Sequence, residues 1–250
     1  MTKRIWALLL PLMLLAGSAR AAQEEFSKTY PLSDRGRVSL SNVNGGLRVQ
    51  VWDRDEVKVE AVKHADADSA LADLRIEVAA SADRVAIETR YPQRRWSWGH
   101  GESLSVDYTL TIPRGAALEG VSLVNGDLDV ADLEGRLEVE LVNGDVRARG
   151  LAGSASVESV NGSLELSFAR LERADRVKAE SVNGRIEVLL PASVGADLRA
   201  STVSGRLSNE FDVPVDKHRF VGAEMEGAIA GGGADIELET VNGSIAVRRQ

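Results

Sequence analysis

Cysteine is absent from all 250 residues, so no disulfide can form and no lipid-modified cysteine can anchor the chain. Aromatic residues are only 4% of the composition, too few to supply large core anchors. A core must therefore be stacked from many small Val, Leu, Ile and Ala side chains. Positive charge is the minority, with 30 Lys and Arg against 38 Asp and Glu. That balance repels nucleic acid and anionic headgroups, so no nucleic-acid partner is expected. The three histidines, His64, His100 and His218, stand apart in no H-x-x-x-H or H-E-x-x-H spacing, which argues against a zinc site. No G-x-S-x-G elbow, Walker loop or dinucleotide fingerprint occurs. The Gly231-Gly232-Gly233 run lacks the Lys and following helix of a phosphate cradle and reads as a tight turn. No cofactor and no resident metal are expected.

Long hydrophobic runs are also missing, apart from Ile5 to Ala16. That run is preceded by Lys3 and Arg4 and followed by a small-residue stretch in which Ala19 and Ala21 frame an A-x-A site. It is shorter than the roughly 20 residues of a membrane span. Residues 1–21 therefore read as a signal peptide cleaved after Ala21, leaving no transmembrane segment and a periplasmic or secreted product. Loss of its three cations takes the formal net charge from −8 to −11.

What the chain has in excess is one tripeptide. Val-Asn-Gly stands at 43–45, 124–126, 142–144, 160–162, 182–184 and 241–243, with Val-Ser-Gly at 203–205. An active-site motif is normally written once, so a repeat of this kind is architecture. From residue 125 the central positions recur at intervals of 18, 18, 22, 21 and 38, and a period near 20 marks a solenoid. The last interval is about two periods, which implies a coil that has lost its signature. Six and four residues before the central position, and three and five after it, stand apolar residues such as Leu137, Val139, Val146 and Ala148. Each arm is thus a short strand with one buried face, and the parity of the alternation changes across the tripeptide, as it must at a corner.

The expected fold is an all-β, single-stack β-solenoid with V-N-G corners. Its domains are an N-terminal β-rich capping region over 22–113 and a solenoid over 114–250. A short helical turn fits Asp68–Asp73. The alternative is a β-meander or sandwich, since Asn-Gly between alternating strands is also a hairpin signal. In the solenoid, Asn44, Asn125, Asn143, Asn161, Asn183, Ser204 and Asn242 form a turn ladder. Beside them Gly126, Gly144, Gly162, Gly184, Gly205 and Gly243 adopt backbone conformations closed to other residues. An Asn161→Ala change is expected to cost roughly 1–3 kcal/mol through unpaired buried polar groups.

The stretches "LSNVNGGLRVQVWDRDEVKVEAVK", "VDYTLTIPRGAALEGVSLVNGDLDV" and "GAIAGGGADIELETVNGSIAVRR" resemble a bacterial family of secreted β-strand-repeat proteins named as adhesins, a domain of unknown function. The resemblance covers nearly all of the chain beyond residue 21. It implies a β-solenoid-like fold and an envelope or secreted location, without an established enzymatic activity. Some relatives belong to envelope-stress systems. The function expected is a non-enzymatic interaction module whose partner is an envelope protein or a glycan. The alternative is an accessory or sensor protein of an envelope-stress response, and the least favoured reading is a polysaccharide-active β-helix enzyme.

Two features outside the repeat are candidates for recognition. "RYPQRRWSWGHG" at 90–101 gathers Arg94, Arg95, Trp96, Trp98 and His100, where Trp rings can stack on sugars and Arg can grip carboxylate or phosphate. The bland reading is an edge-covering hairpin loop. The column Glu140, Glu158, Glu180 and Glu239, each three residues before an Asn, should face outward about 4.8 Å apart. Such a column could draw Ca²⁺, or be relieved by Lys178 and Arg199 on the same face. The excursion "NEFDVPVDKHRFVG" at 209–222 reads as an insertion on one coil.

Overall fold

The computed structural model describes residues 22–66, 68–92, 104–217 and 222–250. Within them the chain is all-β, with a single helical turn at Asp68–Leu71. The V-N-G corners divide seven coils into an inbound strand that ends on the ladder residue and an outbound strand that leaves it. Inbound strands are Arg37–Asn44, Ala117–Asn125, Leu137–Asn143, Ala155–Asn161, Arg176–Asn183, Ala196–Ser204 and Ala234–Asn242. Their outbound partners are Leu47–Trp52, Leu128–Ala131, Val146–Ala152, Leu164–Arg170, Ile186–Leu190, Leu207–Asn209 and Ile245–Arg249.

All inbound strands pair parallel in one sheet and all outbound strands pair parallel in another. A hairpin meander would pair sequential strands antiparallel, so the solenoid stands and the meander falls. Register is set by the corner: Asn44 faces Asn125, then Asn143, Asn161, Asn183, Asn242 and Ser204 follow in turn.

The order of coils in space differs from the order in sequence. The Asn242 coil lies between the Asn183 and Ser204 coils in both sheets. The 38-residue interval therefore hides no degenerate coil. After Asn209 the chain crosses to the inbound sheet, where Val215–Lys217 and Ala223–Ile229 form an antiparallel edge outside the Ser204 coil. It then returns to fill the slot left one strand wide. An excursion and an insertion together mimic two periods, which spacing alone cannot distinguish. Asn209 organises the crossing, its Oδ1 accepting from the Phe211 and Val213 amides while its Nδ2 donates to the Val213 carbonyl.

The opposite end is closed differently. Beyond the Asn44 coil the inbound sheet adds the hairpin Arg75–Ala80 and Arg84–Arg90, and the outbound sheet adds Leu104–Pro113, Glu56–Ala65 and Ala22–Pro31. The ladder and its core run without a break from the Asn44 coil onward, because Val38, Leu40, Leu47 and Val49 join the same buried cluster as the later coils.

That core is aliphatic, as the scarcity of aromatics requires. Columns such as Leu137, Val139 and Leu141 facing Val146 and Ala148 repeat from coil to coil, and Phe168 is the one aromatic among the largest fully buried side chains. Tyr108 is also buried and its hydroxyl sits 2.7 Å from Thr89 Oγ1, tying the outbound sheet to the inbound one at the N-terminal end.

Candidate functional site

The corners carry a continuous amide chain. Asn125 Nδ2 donates to Asn44 Oδ1 at 2.9 Å, and Asn143, Asn161, Asn183 and Asn242 each donate to the preceding coil at 2.9–3.0 Å. At the start, Asn44 Nδ2 donates to the Leu104 carbonyl and its backbone amide meets the Tyr91 hydroxyl. Every rung from Asn125 to Asn242 is solvent-exposed rather than buried. The expected cost of breaking one is accordingly smaller than for a buried amide, since water can replace the lost partner.

A second run lies just past the glycines. The Asp145 amide donates to Asp127 Oδ1 and the Ser163 amide to Asp145 Oδ1, both at 2.8 Å. The glycines themselves are fixed by crowding more than by torsion. Gly162 has a positive φ of 141°, but Gly184 has no comparable torsion, and a Cβ on either would fall on the carbonyl of the glycine in the preceding coil. The requirement is close approach between stacked backbones.

Inside the corner runs a column that the repeat alone does not draw attention to, two residues before each ladder position. Asn42, Leu123, Leu141, Ser159, Ser181, Thr240 and Thr202 occupy it. All are buried. Thr202 Oγ1 donates to the Gly243 carbonyl at 3.0 Å and Thr240 Oγ1 to that of Gly184 at 3.4 Å. Ser159 and Ser181 Oγ are buried without a partner. Asn42 Nδ2 reaches three carbonyls, of Asn44, Gly45 and Val106.

On the outer face of the same strands lies a trough of about 520 Å³. One wall is the Glu140, Glu158, Glu180 and Glu239 column, continued by Ser122 and Ser201 in register. The other is Val142, Val160, Val182, Val241 and Val203. These valines are 39–52% exposed, and with Val43 they are every large hydrophobic classed as exposed among the described residues. Strand alternation explains it: the residues one and three before the corner share the outward side.

Lys178 bridges Glu180 at 2.9 Å and Glu158 at 3.3 Å, and the Glu180 bond in particular holds its ammonium pKa above the usual lysine value. Arg199 turns instead to Asp235 and Glu226. Glu140 and Glu239 thus have no cation within ion-pair distance among the described residues. Nor do three His, Asp or Glu side chains among those residues converge there closely enough to hold a metal ion. The Ca²⁺ reading of the column gains no support from geometry.

The loop candidates Arg94, Arg95, Trp96, Trp98 and His100 lie outside the described residues, as does His218. His64 pairs with Asp107 at 3.3 Å on the surface. Gly231 and Gly232, both at positive φ, form the turn into Ala234–Asn242.

The stack of V-N-G corners spans nearly the whole described chain, and the model of Toastrack DUF4097 matches residues 26–248. The chain belongs to the Toastrack DUF4097 family. A solved structure from Clostridium sporogenes, named as a candidate cell adhesion protein, is similar over 92% of this chain and 100% of its own, with a TM-score of 0.55 at 14% identity. A candidate adhesin from Bacteroides fragilis is similar over 91% and 97% of the two chains, with a TM-score of 0.45 at 14% identity. The first of these likenesses concerns the fold alone. Comparison with functionally curated proteins gives no match. As a Toastrack protein the chain has a β-solenoid-like repeat fold, and the family is one of unknown function.

Proposed function

We propose that this Toastrack protein is a non-catalytic binding module of the cell envelope, and that the trough on its inbound sheet receives a polypeptide partner presenting basic and aliphatic side chains. One observation carries the reading: all six large exposed hydrophobics among the described residues are corner valines, and five of them, Val142, Val160, Val182, Val241 and Val203, stand in register as an apolar strip beside the Glu column. Scattered exposed apolar residues are ordinary, but a contiguous row rimmed by polar groups is a feature of interaction surfaces. Two of the four glutamates share a single lysine and the other two have no ion-pair partner among the described residues, so the complementary surface is cationic. The leader-like residues 1–21 support a location outside the cytoplasm.

Immobilised protein should retain a basic, Leu-rich peptide over its Glu-for-Lys counterpart at low salt, with retention falling as salt rises. The pair Val160→Thr and Val182→Thr keeps shape and strand propensity while removing the apolar strip, and should weaken retention roughly tenfold. Equal retention of both peptides, or an unaffected double variant, would overturn the reading. Trp96→Ala with Trp98→Ala, run in parallel on a glycan panel, tests the loop separately.

A further inference from the structure

Asn followed by Gly is prone to spontaneous deamidation in water. The glycine nitrogen can attack the asparagine Cγ because no Cβ obstructs it, ammonia leaves, and a five-membered succinimide forms. Water then opens the ring at either carbonyl, giving aspartate or isoaspartate. The chain has six such sequences, at Asn44, Asn125, Asn143, Asn161, Asn183 and Asn242, and the last five of these side chains are exposed.

In the stack each attacking nitrogen is tied. The amides of Gly45, Gly126, Gly144, Gly162, Gly184 and Gly243 donate to the carbonyls of Asn125, Asn143, Asn161, Asn183, Asn242 and Ser204 at 2.9–3.1 Å. Each Asn is the last residue of a strand, and its carboxamide donates to the coil before it or, at Asn44, to Leu104. Attack would require losing a ladder bond at the glycine and a rung at the asparagine together. The seventh corner differs in both respects. It is the last corner of the column, no further V-N-G coil stacks on it among the described residues, and Gly205 N makes no hydrogen bond among them. That corner is the one that carries serine, which has no carboxamide to lose.

We propose that the six Asn-Gly corners are latent sites of spontaneous deamidation, held unreactive by the amide lock of the next coil, and that Ser204 replaces Asn at the one corner that no further coil locks among the described residues. Asn242 is the most vulnerable of the six. Its lock depends on the end coil alone, and its Oδ1 accepts no rung among the described residues. An isoaspartate formed there adds a backbone methylene and a carboxylate, neither of which fits the ladder register. A coil that opens for long enough is thereby marked irreversibly.

The test is peptide mapping with isoaspartate detection after incubation at mildly alkaline pH and physiological temperature. Wild-type protein and Ser204→Asn are compared, each folded and in denaturing urea, with circular dichroism to verify that the variant is folded. In the folded state the six native corners should stay unmodified, while the asparagine introduced at the seventh corner converts at a rate close to that of the urea-unfolded chain. In urea every Asn-Gly corner should convert, the introduced one included. An introduced asparagine as inert as the native six would overturn the role of the amide lock. Conversion of the six at equal rates in the folded and unfolded protein would overturn the protection itself.

Discussion

Asn161 Nδ2 donates to Asn143 Oδ1 at 2.9 Å while its own Oδ1 accepts from Asn183 Nδ2 at 3.0 Å, so a side chain in mid-stack is held from both sides on the protein surface. Asn161→Ala removes both rungs. Each neighbour regains water, which limits the loss to about 1–2 kcal/mol for two exposed bonds. Urea unfolding should show a lower midpoint with an unchanged m-value, and a midpoint equal to wild type would remove the ladder from the list of stabilising features.

Gly184→Ala is expected to cost more than Asn161→Ala, although it adds one carbon. The new Cβ would collide with the Gly162 carbonyl, and a backbone cannot yield as a flexible side chain can. Overpacking of this kind costs about 3 kcal/mol. A melting temperature indistinguishable from wild type would show that neighbouring coils can slide apart.

Ser181→Ala should be neutral or stabilising by up to about 1 kcal/mol, because removing an unsatisfied polar group relieves its desolvation cost. The hydroxyl is buried with no partner, and the same column holds Leu123 and Leu141 in other coils. Thr202→Val, which deletes a hydroxyl that does bond, to the Gly243 carbonyl, should instead destabilise. Equal effects from the two changes would contradict the distinction drawn between the hydroxyls.

Burial pushes the Tyr108 phenol up to about 12, against an ordinary value of 10.0, with the Thr89 hydrogen bond opposing in part. The folded state therefore favours the neutral phenol. Its contribution is complete below the ordinary value and is lost as pH rises through the folded one, worth about 3 kcal/mol in all. Tyr108→Phe should flatten this alkaline limb of the stability profile. An alkaline limb of the same steepness in the variant would assign it to other groups.

The corners and the alternation around them are legible because a repeat averages out local noise: seven copies agree on which residues face in. The reason for the glycines is not, since Gly184 is required by a carbonyl of another coil, and sequence shows torsional habits more readily than contacts. The exposure of the ladder is equally hidden, because inter-strand bonding and burial usually coincide and here they do not. The valine strip escapes notice for a related reason. In a repeat unit Val142 or Val160 reads as a strand former, and only the parity of the strand puts it in water. The place of the Asn242 coil cannot be read from spacing, because strand order within a parallel sheet leaves no local mark.

That placement has a kinetic side. Five coils can add to the stack in the order in which they are synthesised, each templated by the one before. The Ser204 coil cannot, because the strands it rests on, Ala234–Asn242 and Ile245–Arg249, come later in the chain than it does. Assembly at this end must wait for them, or begin with the Ser204 coil docked on the Asn183 coil in their place and then exchange. A slow final phase in refolding, absent when residues 196–229 are excised and the flanking coils rejoined, would be the trace of that detour.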